Sequence, residues 1–194
     1  GNPDGIWSEW YANGHLKSQG AYEAGVKNGN WNQWHENSRQ AAQGAYTKGE
    51  VDGLWIRWHE NGSKYSEGSY VKALPHGQWT EWYKNGQKFE EGKYESGRKA
   101  GRWLQWHNNS AVKLDGVYDR GVRQGVWKEW HENGRMASEG GYDKDKEQGP
   151  WTYWHVNGQK SGEGAYLGGS RISIWRFWNE DGTLLEEANH GGGR

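Results

Sequence analysis

The chain has 194 residues, no cysteine and a formal net charge of −1 from 24 basic and 25 acidic side chains. Disulfides, thiolate nucleophiles and Cys-ligated zinc are thereby excluded, and so near-neutral a balance carries no electrostatic footprint for nucleic acid or an anionic membrane. No apolar run approaches the roughly 18 residues that a membrane span needs, and no signal peptide or starting Met is seen, so any targeting segment is expected to lie outside this sequence and no compartment follows. Leu, Ile, Val and Phe make only 22 of 194 residues, whereas Trp contributes 16 and Tyr 11. Such an aromatic load is foreign to disordered chains. Each buried aromatic removes about 150–250 Å² from water, so the aromatic residues are the expected core.

In chain order, the first element is a short aromatic strand, Trp7-Ser8-Glu9-Trp10, two residues after Gly5. Asn13-Gly14 follows, the strongest local hairpin signal, because both central residues of a two-residue type I′ turn need φ > 0. With that pair as the loop, Trp10 is expected opposite Lys17, Glu9 opposite Ser18, Trp7 opposite Gly20 and Gly5 opposite Tyr22. One Trp and one Tyr would then each cover a cross-strand glycine, a known stabilising device. Residues 23–28, Glu23-Ala24-Gly25-Val26-Lys27-Asn28, are read as the connection to the next hairpin. Strand alternation places Trp7, Tyr11 and Tyr22 on one face, expected to be the inner side of a curled sheet, and Trp10 on the other.

Every later element repeats this series with a period of 24. W-x-x-W recurs at 7/10, 31/34, 55/58, 79/82, 103/106, 127/130, 151/154 and 175/178, without insertion or deletion. The preceding glycine stands at 5, 29, 53, 77, 101, 125 and 149, with Ser173 in the eighth copy. Asn-Gly becomes Asn37-Ser38, Asn109-Ser110 and Asp181-Gly182 in three copies. Gly-x-Tyr becomes Ala188 and His190 in the last. Repeats of fixed period decide an architecture before any other signal. The expected fold is all-β: an elongated, single, twisted antiparallel meander of eight stacked 24-residue hairpins. It forms one array over residues 1–194, with repeats starting near 5, 29, 53, 77, 101, 125, 149 and 173. The eroded eighth copy reads as a C-terminal cap. About sixteen strands at roughly 4.8 Å would run about 75 Å. A parallel β-solenoid is the alternative, and the Asn-Gly turns count against it.

The pattern G-x-W-x-x-W-[HY]-x-N-G-…-G-x-Y, as in Gly77-Gln78-Trp79-Thr80-Glu81-Trp82-Tyr83-Lys84-Asn85-Gly86, closely resembles the MORN repeat in its bacterial variant, the type of the YwqK-like antitoxins. The resemblance covers residues 5–182. It implies stacked hairpins that usually bind protein partners, and in some members lipid. A bacterial immunity or antitoxin role would be a special case. Ser38, Ser110 and the eighth copy depart from the pattern and put the turn geometry there in question.

Catalytic readings fare poorly. The residue after the second Trp is Tyr11, His35, His59, Tyr83, His107, His131, His155 and Asn179. Equivalent slots lie two strands apart, roughly 9.6 Å, whereas zinc needs ligand nitrogens about 2.0–2.1 Å from one ion. The column therefore reads as interchangeable flat side chains rather than a metal site, and no cofactor is expected. A second column, Gln19, Gln43, Glu67, Glu91, Asp115, Glu139, Glu163 and Glu187, has spacing near the roughly 5–10 Å of glycosidase carboxylate pairs. Many equal carboxylates make no unique cleft, and a solvated face is the better reading. No phosphate-loop motif occurs. The preferred expectation is a non-enzymatic scaffold binding a protein partner along Trp10, Trp34, Trp58, Trp82, Trp106, Trp130, Trp154 and Trp178, beside variable slots such as Ser8, Asn32, Ile56, Thr80, Leu104, Lys128, Thr152 and Arg176. End-to-end polymerisation through the open sheet edges and carbohydrate binding along the same Trp line are the alternatives, and for the Trp line itself the plainer reading is packing alone against the slot across from it, Lys17, Ala41, Tyr65, Phe89, Lys113, Ala137, Ser161 and Leu185.

Overall fold

A computed structural model describes residues 2–191. Among them are sixteen strands and no helix: β1 (Gly5–Trp10), β2 (Leu16–Glu23), β3 (Val26–Trp34), β4 (Gln40–Thr47), β5 (Glu50–Trp58), β6 (Lys64–Val71), β7 (Leu74–Trp82), β8 (Lys88–Glu95), β9 (Arg98–Trp106), β10 (Val112–Asp119), β11 (Val122–Trp130), β12 (Met136–Asp143), β13 (Lys146–Trp154), β14 (Lys160–Leu167), β15 (Ser170–Trp178) and β16 (Leu184–Asn189). The strands fall into two compact units, Gly1–Arg98 and Lys99–Arg194. In each unit sheet order is chain order, neighbours are antiparallel, and the sheet is open. The all-β hairpin meander expected from the 24-residue period is therefore what forms.

The two kinds of turn are exchanged relative to the sequence reading. At the Asn-Gly loops, Gly14 N–H donates to Tyr11 O at 3.0 Å and Tyr11 N–H to His15 O at 2.9 Å. Only Gly14 (φ 83°) is left-handed; Asn13 is not. That is a three-residue loop ending in a left-handed glycine, and it recurs at Gly62, Gly86, Gly134, Gly158 and Gly182. Ser38 (φ 64°) and Ser110 (φ 69°) hold the same conformation, so those departures keep the loop at a conformational cost. The two-residue turns with φ > 0 at both positions lie instead in the supposed connection: Ala24-Gly25, Lys48-Gly49, Lys72-Ala73 and Ser96-Gly97 in the first unit, Arg120-Gly121, Lys144-Asp145 and Gly168-Gly169 in the second. Residues 23–28 are thus strand ends about a tight turn, and β2 pairs with β3 as fully as with β1.

The expected register holds from Gly5↔Tyr22 to Glu9↔Ser18, then slips by one. Trp10 faces Leu16 rather than Lys17, because a bulge follows the three-residue loop. A second irregularity sits across the tight turn, where Ala21↔Asn28 is followed by Gly20↔Trp31. Gly29 lies in that gap at φ 72°, with nothing within 4 Å of where a Cβ would stand. The glycine two residues before each first Trp is therefore needed for its backbone conformation. No Tyr ring covers it, which corrects the expectation for Gly5.

The other glycine column is needed for space. A Cβ on Gly20 would lie 2.2 Å from the Trp31 ring, and the same closeness recurs at Gly44/Trp55, Gly116/Trp127 and Gly164/Trp175. The covering Trp comes from the following repeat rather than from the glycine's own hairpin. Lying flat on the neighbouring backbone, Trp31, Trp55, Trp79, Trp103, Trp127, Trp151 and Trp175 are 0–6% exposed, whereas Trp7 is 47% exposed. Indole N–H groups are satisfied across the strand, as in Trp31 Nε1 to Ala21 O at 3.1 Å and Trp175 Nε1 to Ala165 O at 3.1 Å. Tyr rings stand edge-on between the indoles: Tyr22 is 5.9 Å from Trp7 and 5.3 Å from Trp31, and Tyr118 is 5.0 Å from Trp127. Such edge-to-face pairs add about 0.5–1.5 kcal/mol each beyond burial. This ladder is the core.

Candidate binding face

The second-Trp column is built differently from the first. Each of these residues closes a strand just before the three-residue loop, at the bulge: Trp34 opposite Gln40, Trp58 opposite Lys64, Trp82 opposite Lys88, Trp106 opposite Val112, Trp130 opposite Met136, Trp154 opposite Lys160 and Trp178 opposite Leu184. Among the glycines described, none lies beneath these rings; from Trp34 to Trp178 they stay half-buried, and Trp10 is 61% exposed. All eight predicted residues thus occupy one slot of the repeat, four in each unit. Lys64 Nζ stands 5.4 Å over the Trp82 ring, so a cation already uses part of that surface.

Two open depressions have Trp130 in their lining, on opposite faces of the sheet, since the cross-strand pair Leu114–Glu129 borders one and the adjacent pair Leu104–Asp115 the other. One, of about 590 Å³, is bordered by His107, Lys113, Leu114, His131 and Ala137. The other, of about 510 Å³, is bordered by Leu104, Val112, Gly134 and the Arg102–Asp115 pair. That pair is bidentate, with Arg102 Nε 2.8 Å from Asp115 Oδ1 and Nη2 2.7 Å from Oδ2. Hydrogen bonding to Asp115, reinforced by its charge, holds the guanidinium above its ordinary value. On the second-Trp face the arrangement offers an indole beside Leu104 and Val112, rimmed by the Arg102–Asp115 pair. It suits an apolar or aromatic side chain presented by another surface.

The His/Tyr column has a role that the sequence reading missed. His35 Nε2 donates to Trp58 O at 2.9 Å, His59 Nε2 to Trp82 O at 2.9 Å, His107 Nε2 to Trp130 O at 2.7 Å, His131 Nε2 to Trp154 O at 2.9 Å and His155 Nε2 to Trp178 O at 2.8 Å; Tyr11 Oη donates to Trp34 O at 2.8 Å. Histidine and tyrosine interchange because both carry a donor to the next repeat's backbone, not because both are flat. The loop Asn adds a second bridge, Asn133 Nδ2 to Val156 O at 2.8 Å, while its Oδ1 accepts the Arg135 N–H at 3.0 Å. Partners 23 residues apart, one short of the period, are the signal that could have revealed these bridges. Among the described residues no cluster of His, Asp or Glu could hold a metal ion.

The acidic column lies on the solvated face, paired with bases: Glu67 with Lys64 at 2.5 Å, Glu139 with Lys128 at 3.2 Å, Glu163 with Lys160 at 2.7 Å and Glu187 with Arg176 at 3.0 Å. Exposed pairs of this kind contribute about 0–1 kcal/mol each.

No curated protein matches the chain. The MORN repeat variant matches residues 3–24, 51–72, 75–96 and 123–144. All four stretches contain an Asn-Gly loop. Those four stretches are similar to the MORN repeat variant and together make up less than half of the chain.

Proposed function

We propose that this chain is a non-enzymatic scaffold that binds a protein partner through its second-Trp face, with Trp130 at the centre of the contact. The observation that carries the reading is the contrast between the two Trp columns. The first is consumed in packing at 0–6% exposure from Trp31 to Trp175. The second stays half-buried, and at Trp130 it borders the depression formed with Leu104 and Val112. A rigid aromatic at the edge of an open hollow is the kind of group that dominates binding energy at protein interfaces. Slots beside it vary between repeats, among them Leu104 and Lys128. Such variation on a constant frame suits one specific partner. A toxin-neutralising role is a special case of the same reading.

The test is a cross-linking pull-down with the wild-type chain, Trp130→Ala and Trp82→Ala. Retained circular dichroism, followed by loss of one partner from the Trp130→Ala eluate, is the expected result. An unchanged set of captured proteins with a folded Trp130→Ala chain would refute the face. Capture of glycans by the wild-type chain on an array, lost in Trp130→Ala, would move the reading to carbohydrate.

A further inference from the structure

The bulge after each three-residue loop re-aims one side chain. Trp58 faces Lys64, and the Tyr65 ring stands edge-on against His59, with centroids 5.1 Å apart. In the next repeat the Phe89 ring meets Tyr83 in the same way at 5.2 Å, and Lys17 Nζ lies 5.8 Å over the Tyr11 ring. This slot therefore belongs with the His/Tyr column. The chain supplies its own template there: an aromatic ring set against the ring of that column. Repeat six keeps the wall and omits the ring. Ala137 stands where Tyr65 and Phe89 stand, and it borders the open depression of about 590 Å³ together with His107, His131, Leu114, Trp130 and Val156. This hollow lies on the first-Trp side of the sheet, since Leu114 pairs with Glu129, two residues after Trp127.

The lining of this hollow is particular to its place in the array. Ala41 and Ser161 also leave the ring out, but Ser18 and Glu60, and Ser138 and Glu180, stand where Leu114 and Val156 do. Elsewhere Leu114's column holds Ser, Ala, Gly or Glu, and Val156's column holds Ala, Glu, Lys or Asn. Each column thus places its one large aliphatic residue at the same hollow. The polar part of the wall is mostly acceptor. His131 Nε2 donates to Trp154 O at 2.9 Å and His107 Nε2 to Trp130 O at 2.7 Å. A neutral imidazole that donates from Nε2 carries its acceptor on Nδ1. Glu129 adds a carboxylate, one oxygen of which accepts from Ser138 Oγ at 3.3 Å. Of the donors, Asn133 Nδ2 is engaged by Val156 O at 2.8 Å, and Lys113 stands at the rim.

We propose that this hollow is a binding site for a small phenol, an uncharged single ring with a hydroxyl. The ring takes the place beside His131 that Tyr65 takes beside His59, and packs against Leu114 and Val156. Its hydroxyl donates to an acceptor of the wall. A hollow left where a ring is missing takes up a free ring of like size when its walls are apolar, and the volume falls in the range of small-molecule sites, roughly 300–1,000 Å³. The site is separate from the second-Trp face, which lies on the other side of the sheet.

The test titrates para-fluorophenol against the intact chain and follows its fluorine NMR signal. Each variant borrows a residue that the chain already carries at the equivalent slot, and circular dichroism checks the fold. Ala137→Tyr copies the His59–Tyr65 pair and is expected to abolish saturable binding. Leu114→Ser copies Ser66 and Val156→Glu copies Glu132; each is expected to weaken binding about ten-fold, the loss of one apolar wall. Para-fluorotoluene, which lacks the hydroxyl, is expected to bind about five-fold more weakly. No saturable binding by the wild-type chain, or undiminished binding by folded Ala137→Tyr, would overturn the site. Should Ala137→Tyr not fold, undiminished binding by both Leu114→Ser and Val156→Glu overturns it equally. Binding lost on Leu104→Ser but kept on Leu114→Ser would put the ring in the second-Trp hollow and overturn the assignment. Equal binding of para-fluorotoluene would overturn the phenol class. Tighter binding of N-acetyl-tyrosinamide than of para-fluorophenol would give the ring to a polypeptide and overturn the small molecule. Capture of a protein partner through the second-Trp face has no bearing on these outcomes, so the two readings fail separately.

Discussion

At the residue scale, the two glycine columns look alike in the sequence and obey different physics. Gly116 is flat-packed: a Cβ there would lie 2.2 Å from the Trp127 ring, so Gly116→Ala must push a buried indole off its seat. Overpacking of this kind costs about 1–3 kcal/mol. Gly125 has open space but φ 71°, so Gly125→Ala costs only left-handed strain, about 1–2 kcal/mol. Urea denaturation of the two variants should rank Gly116→Ala as the more damaging and shift its indole emission to the red, while Gly125→Ala leaves the emission in place. The same logic predicts a gain. Ser173 sits at φ 59° in the second column, and Ser173→Gly should relieve that strain and raise stability by about 0.5–1 kcal/mol after the entropy cost of glycine. A midpoint that falls instead would mean the serine hydroxyl does something that its backbone angle does not reveal.

At the element scale, the unit of cohesion is the pair of forward bridges from each loop to the next repeat. His131→Tyr should be nearly neutral, because Tyr11 already makes the equivalent bond to Trp34 O. His131→Phe leaves Trp154 O without its donor and should cost about 1 kcal/mol. Asn133→Asp keeps the acceptor for Arg135 N–H but loses the donor to Val156 O, and should cost about as much. Asp181 allows a check by pH. The Thr183 hydroxyl, and then the Thr183 N–H, hold its carboxyl below the usual carboxylate range. A depressed folded value means that the stabilisation is present above the unfolded value, about 3.9. It disappears as pH falls through the folded value. Asp181→Asn retains the oxygen acceptor without titrating, so the variant's thermal midpoint should fall less than the wild type's on acidification below about pH 4. Parallel curves would show that the loop does not couple to stability.

The register within each hairpin was legible from the position of the Asn-Gly pair as far as Glu9↔Ser18, whereas the slip at Trp10 and the pairing across the tight turns were not. Nor were the turn types. Asn-Gly supports either a two-residue turn or a three-residue loop, and the bulge at Trp10/Leu16 that separates them leaves no mark on composition. The eight candidate Trp residues could be placed in one column from spacing. Their half-exposure could not, since it depends on the absence of a glycine across the tight turn, a contact that links one repeat to the next.

At the scale of the whole molecule, the question is how a single sheet layer folds at all. Domains ordinarily bury apolar surface between two layers, yet every strongly contacting pair of strands here is consecutive in the chain. Each sheet supplies its own second layer by laying an indole on the neighbouring backbone. A fully buried Trp so placed removes about 150–250 Å² from water. At about 25 cal/mol/Å², that is worth about 4–6 kcal/mol as an upper bound. Such cohesion is strictly between neighbours, so stability should be a sum of repeat and interface terms rather than one global quantity. A defect should therefore loosen its surroundings and little else. Gly44→Ala lifts Trp55 from its seat in the first unit. By native-state hydrogen exchange it should lower amide protection in β3 to β6, while β12 to β16 keep wild-type protection. Loss of protection spread equally over both units would mean that the sixteen strands unfold as one cooperative body. Nearest-neighbour packing would then be too small a part of what holds them.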